Sequence, residues 1–279
     1  MAITHVPEIY SALILTSLKK NLVYAQPTVV SREYEGEIRG QGDTVRIRSL
    51  SRPTIGTYTK GSTTITPEQL TDAERALYID QSKYFAFELD AIDAAQSAGG
   101  ELTTALTEAT YGLRDVADQF VASLYTGAQS ANQLGTISVT TAAGAYTVLR
   151  KLRTALNKAN VPMEGRYAIV PAFFEGLLLE DDRFVRVDAS GSSEGLRNGI
   201  IGRALGFDVL MSNNAPNPTG DDYVVQAGHP SAIAYAEQIV KVEAYRPDDS
   251  FSDALKGLHV YGAKLVRPDA IATCVASET

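Results

Sequence analysis

With 279 residues, 44% of them hydrophobic and 21% charged, the chain has the balance of a globular protein with one large or two modest cores. Its formal charge of −8 speaks against a broad basic surface that grips nucleic acid, while leaving room for a protein that merely encloses it. The single cysteine, Cys274, excludes an intramolecular disulfide and a cysteine-built zinc site and fits a cytosolic origin, and no apolar run approaches the roughly 20 residues that span a bilayer.

The first predicted element is a short amphipathic helix around Ile9 and Leu13. The brief apolar run there has no basic region ahead of it and is followed by Lys19 and Lys20, the wrong order for a signal peptide. An extended segment through Gln26-Pro27-Thr28-Val29-Val30 follows.

Residues 44–89 carry the most information. Thr44-Val45-Arg46-Ile47-Arg48-Ser49-Leu50 alternates apolar and polar residues, and so does Tyr84-Phe85-Ala86-Phe87-Glu88-Leu89, so both read as strands. Between them lie Pro53, Gly56, Gly61 and Pro67, seven threonines from Arg52 to Arg75, and few large apolar residues. A structureless loop of that length is improbable inside a compact domain. The reading is a protruding two-stranded arm without a core of its own, with 84–89 as the return strand. At about 3.3 Å per residue it reaches roughly 60 Å, against a radius of gyration of about 19 Å for a chain this long. An isolated hairpin is marginal in water, so the arm is expected to lie on another subunit. Arg46, Arg48, Arg52 and Lys60, with Tyr58 near the tip, are the candidate inter-subunit contact residues; arginine suits bidentate pairing with an acidic neighbour. The bland reading is a charged edge that resists aggregation.

The strongest helix signal runs from Gly99-Gly100 to Gly127, where Leu102, Leu106, Ala109, Leu113, Val116, Phe120 and Leu124 form one stripe about 38 Å long. Arg114, Asp115 and Asp118 fall largely off it. A short strand at 136–139 precedes a stretch of alternating α and β: a helix through Val148, Leu149, Leu152 and Leu156, a strand at 167–170, a helix opened by Pro171, and strands at 207–211, 223–226 and 232–235. Strands at 239–245, 256–266 and 270–275 close the chain and are expected to pack beside the long helix.

Chemistry-bearing motifs are weak. Gly191-Ser192-Ser193-Glu194-Gly195 satisfies G-x-S-x-G, but no buried strand leads into Ser193 and no helix leaves it, so a surface loop is the better reading despite His229 and His259 downstream. The acid pairs at 181–182, 221–222 and 248–249 sit beside turn residues and read as turn and capping acids, not as a cation site. The glycines of 199–206 have neither dinucleotide nor P-loop spacing and suit a tight connection into the 207 strand.

The run Val242-Glu243-Ala244-Tyr245-Arg246-Pro247-Asp248-Asp249-Ser250-Phe251-Ser252-Asp253, then Gly257-Leu258-His259-Val260-Tyr261-Gly262-Ala263-Lys264-Leu265-Val266-Arg267-Pro268, resembles the ending of phage coat proteins, as does Gly202-Arg203-Ala204-Leu205-Gly206-Phe207-Asp208-Val209. With the arm, long helix and inserted α/β region in this order, nearly the whole chain resembles the major capsid proteins of tailed bacteriophages. The resemblance implies an α+β Hong Kong 97-type fold: an N-arm at 1–33, an E-loop hairpin at 34–87, a peripheral domain with its spine helix at 88–145, an inserted α/β axial domain at 146–236, and peripheral return strands at 237–279.

It further implies self-assembly into the hexamers and pentamers of an icosahedral shell in the virion. That shell would be built in the bacterial cytoplasm around double-stranded DNA, without sequence-specific binding, membrane association, cofactor, metal or enzymatic activity. A portal, a separate scaffolding protein and possible decoration proteins would be partners; the separate scaffold is expected because the chain starts directly at its N-arm. Some relatives crosslink an arm lysine to a peripheral-domain asparagine. Lys60 stands near the tip, but no asparagine follows Asn217, so that crosslink is not expected. The alternatives are an encapsulin-like compartment for a cargo enzyme and, remotely, a hydrolase using Ser193.

Overall fold

The computed structural model describes residues 23–33, 44–50, 53–61, 72–90, 101–181, 202–245 and 252–278. Three sheets organise them. Strands β1 (Thr44–Leu50) and β2 (Asp72–Tyr78) form an antiparallel pair; β3 (Gln81–Asp90), β9 (Ile233–Tyr245) and β10 (Ser252–Leu265) form a three-stranded sheet with β10 central. The third sheet has six strands in the order β4-β11-β8-β5-β7-β6: β4 (Gln133–Ser138), β5 (Tyr167–Val170), β6 (Arg203–Ala204), β7 (Phe207–Met211), β8 (Asp222–Gly228) and β11 (Ile271–Ser277). The helices are α1 (Glu101–Ser123), α2 (Ala142–Lys158) and α3 (Ala172–Glu180).

The hairpin exists, but its return strand is not the expected one. Thr44 pairs with Tyr78 and Leu50 with Asp72, whereas Tyr84–Leu89 belongs to β3 and pairs with β10. The alternation in Tyr84-Phe85-Ala86-Phe87 serves the three-stranded sheet: the Phe85 and Phe87 rings stack 6.0 Å apart, and Phe85 lies over Gly257. Periodicity marks a half-buried strand without naming its partner. The arm therefore closes earlier in the chain.

α1 spans 23 residues, about 35 Å, close to the predicted helix. Its buried face is rotated from the predicted stripe. Leu113, Arg114, Ala117, Asp118, Val121 and Ala122 are buried, whereas Val116 is 38% exposed. Small Ala117 and Ala122 let the helix sit close, and two polar side chains are buried because they have partners, a choice that hydrophobicity alone does not reveal.

α2 starts where the Thr141 hydroxyl accepts the Gly144 N–H at 3.2 Å. Beyond its C-cap, Ala159, the chain turns at Asn160, held at φ 57°, into a loop closed by buried Arg166. β6 and β7 are joined by Leu205 and Gly206, both at positive φ, which makes the 199–206 glycine run end in a two-residue hairpin as expected. Residues 26–30 were predicted to be extended; instead they turn, with the Gln26 carbonyl accepting from Val29 and Val30 at 2.9 Å and Pro27 at the position a turn favours. The last strand departs too. β10 packs against α1, where Phe120 meets Tyr261 edge-on at 5.6 Å, but β11 lies between β4 and β8 in the six-stranded sheet instead of beside the long helix. Its fully apolar Ile271 and Ala272 and buried Cys274 suit a strand covered on both faces.

Candidate assembly surface

Around Val260 and Tyr261 the three-stranded sheet is covered on both faces. Because side chains alternate along a strand, Gly257, His259 and Tyr261 of β10 face α1, while Leu258, Val260 and Gly262 face the opposite way. On that second face sits the foot of the hairpin. Val45, Ile47, Leu77 and Ile79 form a small core with Ala234, Ala236 and Val260. Arg75 of β2 reaches down to the Leu265 carbonyl at 3.4 Å. The expectation that the arm leans wholly on another subunit is thus corrected: its foot is stabilised by the chain's own sheet.

The tip differs. Every residue from 53 to 61 is exposed, including Ile55 at 91% and Tyr58 at 65%. Gly61, at φ 80°, allows the turn there. Of the predicted contact residues, Arg46 is exposed on β1 opposite Ala76, and Tyr58 and Lys60 are exposed on the tip. Arg48 pairs with Glu74 in the β1–β2 register. Arg52 and the side chain of Arg48 lie outside the described residues. The arrangement gathers two exposed apolar side chains and a cation at the end of a narrow extension.

Two buried carboxylates, neither singled out from the sequence, tie the remaining elements into one base for that arm. Asp118 Oδ1 accepts the backbone N–H groups of Val23 and Tyr24 at 2.9 and 2.7 Å, and its Oδ2 accepts from Asn214 Nδ2 at 3.1 Å. The N-terminal segment, α1 and the loop after β7 meet there. Burial raises the Asp118 pKa, opposed by these hydrogen bonds.

Glu237 of β9 is the second tie. Its Oε1 accepts from Arg32 Nη1 at 2.7 Å and its Oε2 from the Tyr235 hydroxyl at 2.9 Å, with His259 Nε2 at 3.4 Å. Arg32 also donates to the Ala25 carbonyl at 2.7 Å and lies 5.0 Å from the Tyr235 ring centroid. Burial opposes ionisation of Glu237, but His259 and then Arg32 outweigh it and hold the pKa at about 2. Ser31 completes the joint by bridging to β9, donating to Ile233 and accepting from Tyr235. The available signal was an acid directly after the apolar run Ile233-Ala234-Tyr235-Ala236.

The other motifs yield little chemistry. Ser193, Asp182 and the pair at 248–249 lie outside the described residues. Asp221 and Asp222 do mark a turn, where the Asp222 N–H reaches the Thr219 carbonyl. His229 accepts the Ser231 N–H at a one-turn helix, and His259 is wholly buried in the Glu237 joint. Among the described residues, no cluster of three or more histidine, cysteine or acidic side chains is placed to hold a metal, and no helix is long and apolar enough to cross a membrane.

Comparisons with known proteins agree on one class. Residues 74–274 match the sequence profile of a family described as phage capsid protein. A chain in the structure of Mycobacterium phage Che8 is 35% identical, with 91% of each chain covered and a TM-score of 0.75. The capsid structure of cyanophage P-SCSP1u aligns over 94% of this chain and 90% of its own at 16% identity, also with a TM-score of 0.75. The capsid of Ralstonia phage GP4 aligns over 94% and 90% at 12% identity with a TM-score of 0.64; these last two similarities bear on the fold. No curated protein matches. Neither a cargo compartment nor a serine hydrolase receives support from these similarities.

Proposed function

Since this chain belongs to the phage capsid protein family, we propose a mechanical division of labour between its arm and its base. The protein is a major capsid protein of Hong Kong 97-type fold, and copies of it form the icosahedral shell of a tailed phage virion around the genome. The base, tied together by Asp118 and Glu237, acts as a rigid tile. The arm, 44–78, carries the contact to the next tile through Tyr58 and Lys60 at its tip, with Arg46, Arg48 and Arg52 along its length. The six-stranded sheet is the axial domain, extended beyond 146–236 by β4 and β11, and meets its copies around hexamer and pentamer axes.

The observation that carries this reading is the asymmetry of the hairpin: its foot is buried on its own sheet while Ile55 and Tyr58 stand exposed. Exposed apolar groups at the end of an extension are stabilised when a partner covers them. The role is structural instead of catalytic. A scaffolding protein and a portal act with the chain during assembly in the host cytoplasm, decoration proteins are candidate later partners, and the acidic balance suits a shell that encloses DNA without gripping its sequence.

Electron microscopy of the purified chain, expressed with and without its genomic neighbours, tests this. Closed shells or capsomers are expected; a monodisperse monomer at high concentration in both cases overturns it.

A further inference from the structure

The corner where β2 gives way to β3 rests on Gly262 of β10. A Cβ built there would lie 2.3 Å from the Tyr78 carbonyl oxygen, 3.0 Å from Ile79 Cδ1 and 3.1 Å from Ile79 Cα. Two of these three atoms are backbone, so no side-chain rotation relieves the clash. Gly262 is paired with Ala236, and the neighbouring floor is made of Ala234 and Val260, so the hairpin foot sits on the lowest part of the sheet.

We propose that Gly262 is a positioning residue for assembly: its bare backbone lets the Tyr78–Ile79 corner settle onto β10 and thereby fixes the angle at which the arm leaves the subunit. The consequence for the shell rests on the capsid reading above; the angle itself does not. Adding a methyl group must lift the corner by about 1 Å to restore ordinary contact. The foot is about 7 Å long and the run from Thr44 to Ile55 is at most about 36 Å at 3.3 Å per residue, so the tip swings by about 5 Å. That displacement is enough to miss a side-chain-sized seat on the next subunit. The same strand offers an internal contrast. A Cβ at Gly257 meets the Phe85 ring at 2.4 Å, a side chain that can turn aside, and this position lies on the opposite face.

The test uses full-length protein below its assembly concentration, spin-labelled at Thr57→Cys on the tip and Gln119→Cys on α1; both positions are exposed, and Cys274 is buried. Gly262→Ala is expected to shift the label-to-label distance by about 5 Å, while Gly257→Ala leaves it unchanged. On raising the concentration, Gly262→Ala is expected to lose shells of wild-type diameter. An unmoved distance, or a moved arm with wild-type shells, overturns the proposal. Absence of shells from the wild-type chain, even when it is expressed with its genomic neighbours, counts against the capsid reading alone, because the distance still reports on the corner. If Gly262→Ala does not fold, Val260→Ala lowers the same floor without a clash; a distance distribution identical to wild type then overturns the proposal.

Discussion

Asp118 Oδ1 accepts the backbone N–H of Tyr24 at 2.7 Å across 94 positions of sequence. One carboxylate on the long helix thus accepts from two backbone donors, Val23 and Tyr24, and satisfies groups that burial has removed from water. Tyr24 itself is wholly buried, with Ala25, Val29 and Val30, so residues 24–30 contribute to the core.

Asp118→Ala leaves the Val23 and Tyr24 N–H groups without their acceptor and is expected to cost about 2–4 kcal/mol. Asp118→Asn keeps an acceptor oxygen and costs less. Urea unfolding measures both, and limited proteolysis should show new cleavage before residue 34 in the alanine variant. Stability unchanged within error would mean the segment is held by its apolar contacts alone.

Glu237 makes stability depend on acid in a definite direction. Its pKa falls from the usual 4.5 to about 2 on folding. Its contribution is therefore fully present above about pH 4.5 and lost as pH falls through about 2, of order 3 kcal/mol. Asp118, whose pKa is raised, acts in the opposite sense: its ionisation weakens the fold as pH rises from about 3.8 through its folded value. Urea midpoints followed from pH 5 to 2 should fall for the wild type, and the fall should be smaller in Glu237→Gln. A parallel profile for the two proteins would remove Glu237 as the source.

Arg166 donates to the Pro162 and Val161 carbonyls at 2.7 Å each and to Asn157 Oδ1 at 2.8 Å, closing the loop between α2 and β5. Arg166→Met keeps much of the volume and removes all three bonds. We expect a loss of about 2–4 kcal/mol in chemical denaturation, with the hairpin's hydrogen exchange unaffected because it packs on a different sheet.

Excising residues 53–67 should leave a folded, soluble subunit and abolish closed shells, since the foot keeps its own core. Tyr58→Ala should weaken assembly while leaving the subunit's unfolding midpoint within about 0.5 kcal/mol, the range for exposed positions. Light scattering against concentration separates the two effects. Normal shells after the excision would contradict the role given to the arm.

Much of the fold was legible because it is written in local terms. The strands at 167–170 and 207–211, the helix opened next to Pro171 and the long helix all follow from apolar periodicity or proline stereochemistry, and each lies within a few residues of its predicted place. The existence of an arm was readable from what its middle lacks. Its pairing was not: Asp72-Ala73-Glu74-Arg75-Ala76 has little strand character, yet it becomes β2 because Leu77 and Ile79 find a floor on β10.

The amino-acid order alone settled most of the strands, the long helix and the exposed tip, though not β2 or the turn at 26–30, because those choices depend mainly on neighbours one to four residues away. Tertiary structure decided which strand met which, why Arg114 and Asp118 turned inward where Val116 did not, and why a Cβ at position 262 would run into the Tyr78–Ile79 backbone. These outcomes depend on groups dozens to hundreds of residues distant. A buried carboxylate is stable only once Val23, Tyr24 and Asn214 have arrived to hydrogen-bond it, and a glycine is required only once another backbone has come to rest on it.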